Sequence, residues 1–154
     1  MTGNATAALR EATPVAAHQA PPAAATTKDD IDGRATVCVV DDDDLVCQSM
    51  TVLLETQGFA VFPYASGAQF LGDARRNRAK CLIVDQHMPG MNGFDVLAAL
   101  DREHADLPAI LVTGRLDAGT AERARELGVR AILEKPFRAA RLVEMIRGAL
   151  DLRG

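Results

Sequence analysis

Short apolar runs alternate with amphipathic stretches along most of the chain. Four of these runs are continuously apolar, which is typical of parallel strands that are covered on both faces. A fifth, weaker run contains a proline, which removes a ladder hydrogen bond, so we expect it at an edge of the sheet. The predicted strands are Val37–Val40, Ala60–Tyr64, Cys81–Val84, Ala109–Val112 and Ala131–Leu133.

The stretches between the strands have helical periodicity. Gly58 and Gly128 are expected to end the first and fourth helices, and Ser66 with Gln69 has the spacing of a capping box at the start of the second. The third helix is predicted at Gly93–Arg102, and the last carries an apolar face with Leu142, Met145, Ile146, Ala149 and Leu150. Right-handed crossovers then favour an α/β fold: a (βα)5 doubly wound parallel five-stranded sheet in the order 2-1-3-4-5.

The first 33 residues differ in composition from the rest, because Ala, Thr and Pro dominate them. Such a segment buries too little apolar surface to offset the entropy of ordering it. We therefore predict a disordered tail at 1–33 and a single domain at 34–154.

Composition and charge limit the kinds of partner that the protein could bind and the cellular compartments where we expect it. The net charge of −4 argues against a nucleic-acid-binding surface. No apolar run approaches the ~18 residues that span a bilayer, and the N-terminus lacks the pattern of a secretory signal. The three cysteines form no CxxC motif. We predict a reduced, cytoplasmic protein that binds neither nucleic acid nor membranes.

Polar side chains follow four of the predicted strands at the point where each strand ends. Asp41 and Asp42 follow the first strand, Asp85 the third, Thr113 the fourth and Lys135 the fifth. Ligands bind at the carboxyl ends of strands in open α/β sheets, and adjacent strands lie about 4.8 Å apart. We expect these groups to share one cleft, where carboxylates, a hydroxyl and an ammonium suit a phosphoryl group and a hard cation.

The carboxylates of that cleft need a positive charge. Two of them about 5 Å apart repel by roughly 3 kcal/mol at an effective dielectric near 20. A cation or a raised pKa is therefore required. Mg²⁺ fits, because it takes one or two carboxylates and bridges to phosphate oxygen. The sequence thus predicts an Asp85 oxygen that attacks phosphorus, aided by Lys135 and Thr113.

From about Arg34 to Leu150, the chain resembles the receiver domains of two-component response regulators, which have the CheY-like variant of the flavodoxin-like fold. The most specific element is the D-x-x-M-P-x-M-x-G signature from Asp85 to Gly93. The acidic pair after the first strand, the threonine and the Lys-Pro pair accompany it.

The resemblance implies a role for each of these residues. Asp85 is phosphorylated; Asp42 binds Mg²⁺ directly, Asp41 does so directly or through water, and the main-chain carbonyl of His87 is a further ligand. Thr113 and Lys135 bind the phosphoryl group, and the Lys135-Pro136 bond is cis. The donor is a phosphohistidine of a sensor histidine kinase or of a histidine phosphotransfer protein.

The resemblance is incomplete at one position. Many receivers have Tyr or Phe three residues before the lysine, and this chain has Ile132. The usual coupling of the threonine to an output surface is therefore in question, and a phosphate sink in a relay becomes an alternative output. Because few residues follow Leu150, we expect a single-domain regulator that signals to an unknown downstream protein.

Two other functions are weighed against this one. A pseudo-receiver binds partners without phosphorylation, but every phosphorylation residue is present. A phosphatase of the haloacid dehalogenase type places D-x-D-x-[TV] after its first strand, and Leu45 fails the last position of that element. We predict no enzyme activity beyond the domain's own phosphorylation and dephosphorylation, and we assign helix capping to Asp43 and Asp44.

Overall fold

A computed structural model describes residues 30–101 and 106–153, and its centre is a five-stranded sheet. The strands are β1 Thr36–Val40, β2 Ala60–Tyr64, β3 Ala79–Asp85, β4 Ala109–Thr113 and β5 Ala131–Glu134. Every neighbouring pair is parallel, and the order is β2-β1-β3-β4-β5. The predicted doubly wound sheet and its order are confirmed.

Within the described residues, five α-helices connect and follow the strands. They are α1 Asp44–Thr56, α2 Gly67–Gly72, α3 Gly93–Asp101, α4 Ala118–Glu126 and α5 Ala139–Arg153, and a short 3-10 helix, Ala74–Arg78, precedes β3. Positive φ angles at Gly58 and Gly128, 94° and 75°, follow α1 and α4 as predicted. Among the residues described, no helix is both long and apolar enough to cross a bilayer.

The helix N-termini are capped much as the sequence indicates. The Asp43 carboxylate accepts hydrogen bonds from the N–H groups of Leu45 and Val46, so the predicted capping by Asp43 is confirmed. Ser66 Oγ accepts from the Gln69 N–H at 3.1 Å. The Gln69 side chain returns to the N–H of Ala65, one residue before the cap, so the box is a near variant of the expected one.

The helices cover both faces of the sheet. Successive strand residues point to opposite faces, so Val37 and Val39 belong to a core with α1 and α5, while Cys38 and Val40 belong to a core with α2, α3 and α4. The double cover explains why the strand runs are continuously apolar. It also leaves the carboxyl edge of the sheet as the place where polar side chains collect.

The edge position predicted for the proline-containing strand is confirmed. Pro63 lies in β2, which pairs with no strand other than β1 in the part of the chain that the structure describes. The guanidinium of Arg75 lies 4.8 Å above the Phe62 ring and forms an ion pair with Asp73.

Most of the predicted tail lies outside the described residues, as does Arg102 at the predicted end of the third helix. At the described start of the chain, Ile31 and Arg34 exchange two backbone hydrogen bonds just before β1. The boundary at residue 34 stays a prediction.

Candidate functional site

The carboxyl ends of β1, β3 and β5 bring three carboxylates and an ammonium into one cleft. Asp41 and Asp42 follow β1, Asp85 ends β3, and Lys135 follows β5. One carboxylate oxygen of each aspartate lies within 4.8 Å of the other two. Asp41 and Asp85 are buried, with 2% and 5% of their surface exposed, whereas Asp42 is exposed. The structure therefore brings together four of the residues that the strand ends predict.

Lys135 pairs with the central carboxylate of this cleft. Its Nζ lies 3.0 Å from Oδ1 of Asp85, and 37% of the lysine side chain is exposed. Burial alone lowers the pKa of Lys135, but the Asp85 carboxylate, helped by Asp41 and Asp42, outweighs that effect and raises the pKa overall. The lysine therefore stays charged at neutral pH. The peptide bond from Lys135 to Pro136 is cis, as the resemblance implies.

Asp41 carries an unsatisfied acceptor inside the cleft. Its Oδ1 accepts a hydrogen bond from the Asp43 N–H at 2.9 Å, but its Oδ2 is buried and has no hydrogen-bond partner. Burial raises the pKa of Asp41, the Asp43 N–H partly offsets this, and the charges of Asp85 and Asp42 add to the rise. A buried carboxylate oxygen without a partner is costly. The donor set, all oxygen and all acidic, fits a hard divalent cation.

Thr113 is buried at the end of β4, but its hydroxyl is engaged elsewhere. The hydroxyl donates to Oε1 of Gln86, and its oxygen accepts from the Arg115 N–H at 3.1 Å. Sequence reasoning did not identify Gln86 as a site residue. The strand register offers one signal for it. Asp85 and Val112 are paired in the sheet, so the residues that follow them, Gln86 and Thr113, lie side by side at its carboxyl edge.

The signature after β3 forms a tight loop that leads into α3. Asn92 and Asp95 cap this helix reciprocally, since each side chain accepts the backbone N–H of the other at 2.9–3.0 Å. A Cβ at Gly93 would lie 2.5 Å from the main-chain oxygen of Asp85, so only glycine fits there without a shift. His87 is exposed and lines an open cavity with Gln86, Met88, Pro89 and Asn92. The metal role of the His87 carbonyl stays a prediction.

Residues 37–147 match the family model of the response regulator receiver domain. The chain belongs to this receiver family. The receiver is 38% identical over 114 residues to the transcriptional regulatory protein FixJ of Azorhizobium caulinodans, covering 74% of this chain and 54% of that protein. It is 34% identical over 121 residues to the response regulator protein TodT of Pseudomonas putida. That match covers 79% of this chain and 53% of TodT. The chain thus spans about half the length of these curated relatives.

Solved receiver structures have the same fold. The chemotaxis protein CheY4 of Vibrio cholerae superimposes with a TM-score of 0.72 at 26% identity, covering 76% of this chain and 99% of that one. A response regulator receiver domain protein from Clostridium thermocellum superimposes with a TM-score of 0.72 at 27% identity. That match covers 77% of this chain and 96% of the other. The expected family and its CheY-like fold are therefore confirmed, and this receiver is part of a two-component regulatory system.

Ile132 lies in β5, partly buried against the core under α2, α3 and α4. It packs there as an apolar strand residue and offers neither a phenol nor an aromatic ring. Its effect on output stays a prediction.

Proposed function

We propose that this receiver accepts a phosphoryl group on Asp85 from a phosphohistidine of a sensor histidine kinase or of a histidine phosphotransfer protein. The supporting observation is the buried Asp85 carboxylate, which has Lys135 Nζ at 3.0 Å and two further carboxylates beside it. In the transfer, an Asp85 oxygen bonds to phosphorus while the phosphorus–nitrogen bond of the donor breaks and its imidazole leaves. Positioning and electrostatics supply most of the catalysis in such reactions.

The chain's own groups divide the remaining work between them. Lys135 brings a compact positive charge to an oxygen of the phosphoryl group, and Thr113 donates a hydrogen bond to another. The proposed Mg²⁺ ligands are Asp41, Asp42, Asp85 and the main-chain carbonyl of His87. The unpartnered Oδ2 of Asp41 and the closeness of the three carboxylates support that set. When bound, Mg²⁺ offsets the negative charge that the carboxylates and the phosphoryl group bring together.

The proposed output is changed binding of a downstream protein, or storage of the phosphoryl group as a sink in a relay. The net charge of −4 favours a protein over nucleic acid as the direct partner of the receiver. Ile132, in place of the usual aromatic residue, supports the relay alternative. No enzyme activity beyond the receiver's own phosphorylation and dephosphorylation is proposed.

Incubation with acetyl phosphate and Mg²⁺ tests the proposal. We expect intact-mass spectrometry to detect one added phosphoryl group in the wild type and none in Asp85→Asn. The matched control is Asp44→Asn, which removes an exposed carboxylate in the first turn of α1 and is expected to be labelled normally. A wild type that is never labelled would indicate a pseudo-receiver, and rapid turnover of small phosphomonoesters would indicate a phosphatase.

A further inference from the structure

The Thr113 hydroxyl is bonded to Gln86 and to the main chain of Arg115. Thr113 is fully buried, so solvent is not available to its hydroxyl. We propose that Gln86 is a positioning residue that holds this hydroxyl in the unphosphorylated receiver and competes for it with a phosphoryl group on Asp85. This inference rests on the proposed function. It adds that Gln86 opposes the hydrogen bond between Thr113 and the phosphoryl group at the same site.

The competition follows from counting protons. A threonine hydroxyl has one proton to donate and two lone pairs with which to accept. The Arg115 N–H occupies one lone pair of Thr113 Oγ1 at 3.1 Å, and two acceptors lie within hydrogen-bond distance of the hydroxyl: Oε1 of Gln86 and the Arg115 carbonyl. A phosphoryl oxygen is an acceptor and needs that same proton. The hydroxyl therefore has to release Gln86, as well as the Arg115 carbonyl, before it can donate to a phosphoryl group.

The backbone sets Gln86 and Thr113 opposite each other. The Gln86 N–H donates to the Val112 carbonyl at 2.8 Å and so extends the β3–β4 ladder one residue past Asp85. Gln86 thus immediately follows the proposed acceptor on one strand, as Thr113 follows Val112 on the next. A glutamine at this position is long enough to reach the hydroxyl, and its amide oxygen is a good acceptor.

Both side chains have alternative hydrogen-bonding partners when the bond between Gln86 and Thr113 breaks. The Gln86 side chain lines the open cavity that also involves His87, Met88, Pro89 and Asn92, so a released amide can turn into solvent. Without Gln86, the hydroxyl of Thr113 can donate to the Arg115 carbonyl, which lies 3.1 Å away. The Gln86→Met variant, similar in length but without the amide, therefore leaves no buried donor unpaired and is expected to fold normally.

Beryllofluoride with Mg²⁺ is the probe for the phosphoryl state, and calorimetric titration measures its dissociation constant. The Arg115 carbonyl competes for the Thr113 proton in both proteins. Removing the second competing acceptor, the Gln86 amide, is therefore expected to tighten binding by about three- to tenfold in Gln86→Met. In the Thr113→Val background there is no hydroxyl to release, so Gln86→Met is expected to change nothing. Gln48→Met makes the same substitution at an exposed position of α1 and is expected to match the wild type.

Equal or weaker binding by Gln86→Met overturns the inference, while Asp85-dependent binding by the wild type leaves the proposed function standing. Equal tightening in the presence and absence of the Thr113 hydroxyl also overturns it, because Gln86 would then act by packing. If the wild type does not bind the probe, or if Asp85→Asn binds it equally well, the proposed function fails and the inference fails with it.

Discussion

Lys135 and Asp85 meet across an intervening strand: Nζ lies 3.0 Å from Oδ1, although β4 separates β5 from β3. Two strand spacings correspond to about 9.6 Å, and the long lysine side chain spans that gap over the end of β4. The pair partly balances the charge of the carboxylate cluster. In the proposed transfer, the phosphoryl group therefore meets an ammonium already placed beside the acceptor carboxylate.

Removal of this ammonium is expected to impair phosphorylation strongly. In Lys135→Met the rate of labelling by acetyl phosphate is expected to fall about a hundredfold, the scale seen when one preorganised group is lost from a site of developing charge. Arg130→Met removes an exposed charge just before β5 and serves as the control, with an unchanged rate. Quench-flow labelling followed by mass spectrometry measures both. A wild-type rate in Lys135→Met would remove the lysine from the chemistry.

Mg²⁺ is expected to stabilise the folded receiver, because the carboxylate cluster exists only in the folded chain. At a concentration a hundredfold above its dissociation constant, the ion adds about 2.7 kcal/mol to the free energy of unfolding. Asp42→Ala removes an exposed member of the cluster and is expected to abolish most of this gain, whereas Asp44→Ala keeps it. Thermal unfolding with Mg²⁺ or with EDTA provides the measurement. Identical wild-type melting curves would contradict the metal site.

Strand order and the convergence of the site could be predicted because both depend on regularities of the backbone. Continuous apolar runs indicate strands covered on both faces, and parallel strands end at one edge, so Asp41, Asp85 and Lys135 had to approach one another. The 3-10 helix Ala74–Arg78 escaped prediction because it has no apolar periodicity and starts from a cap by Asp73.

The engagement of Thr113 by Gln86 escaped prediction for a different reason. It depends on the rotamers of two side chains as well as on the register of β3 with β4, and periodicity in the sequence specifies neither rotamer. The same limit applies to the capping box of α2. Its spacing was correct, but the Gln69 amide selected the N–H of Ala65.

The buried carboxyl of Asp41 makes stability depend on pH in a defined direction. Burial raises its pKa in the folded state above the ordinary value of 3.8. Folding therefore favours the protonated form: this contribution is fully present below about pH 4 and is lost as pH rises through the raised pKa. Without Mg²⁺, Asp41→Asn is expected to be more stable than the wild type at pH 7, with the difference shrinking toward pH 4.

Urea unfolding of the two proteins in EDTA between pH 4 and pH 7 measures this difference. The asparagine side chain keeps an oxygen that can accept from the Asp43 N–H, so the hydrogen bond between residue 41 and the loop is retained. A difference that stays constant across the range, or that grows toward pH 4, would contradict the assignment. Adding Mg²⁺ at pH 7 is expected to reverse the order of the two proteins, because only the wild type retains the full ligand set.

Gly93 packs directly against the backbone of the proposed acceptor, Asp85. A Cβ there would stand 2.5 Å from the Asp85 carbonyl oxygen and 3.0 Å from the Gln86 Cα, and both atoms belong to backbone held by the sheet. Gly93→Ala is therefore expected to cost about 1–3 kcal/mol of unfolding free energy, the range for overpacking. Since relief requires moving the end of β3, labelling of Asp85 is expected to slow as well.

Gly148→Ala is the matched control, because a Cβ at that position of α5 meets no described heavy atom within 4 Å apart from its chain neighbours and the nearby backbone of its own helix. Alanine is favoured over glycine inside a helix by about 1 kcal/mol, so this variant is expected to gain stability and to be labelled at the wild-type rate. Urea unfolding and acetyl phosphate labelling compare the two. The opposite signs separate a steric effect at the acceptor from any general consequence of replacing glycine. If Gly93→Ala were as stable and as readily labelled as the wild type, the loop would have to be more compliant than its contacts with β3 indicate.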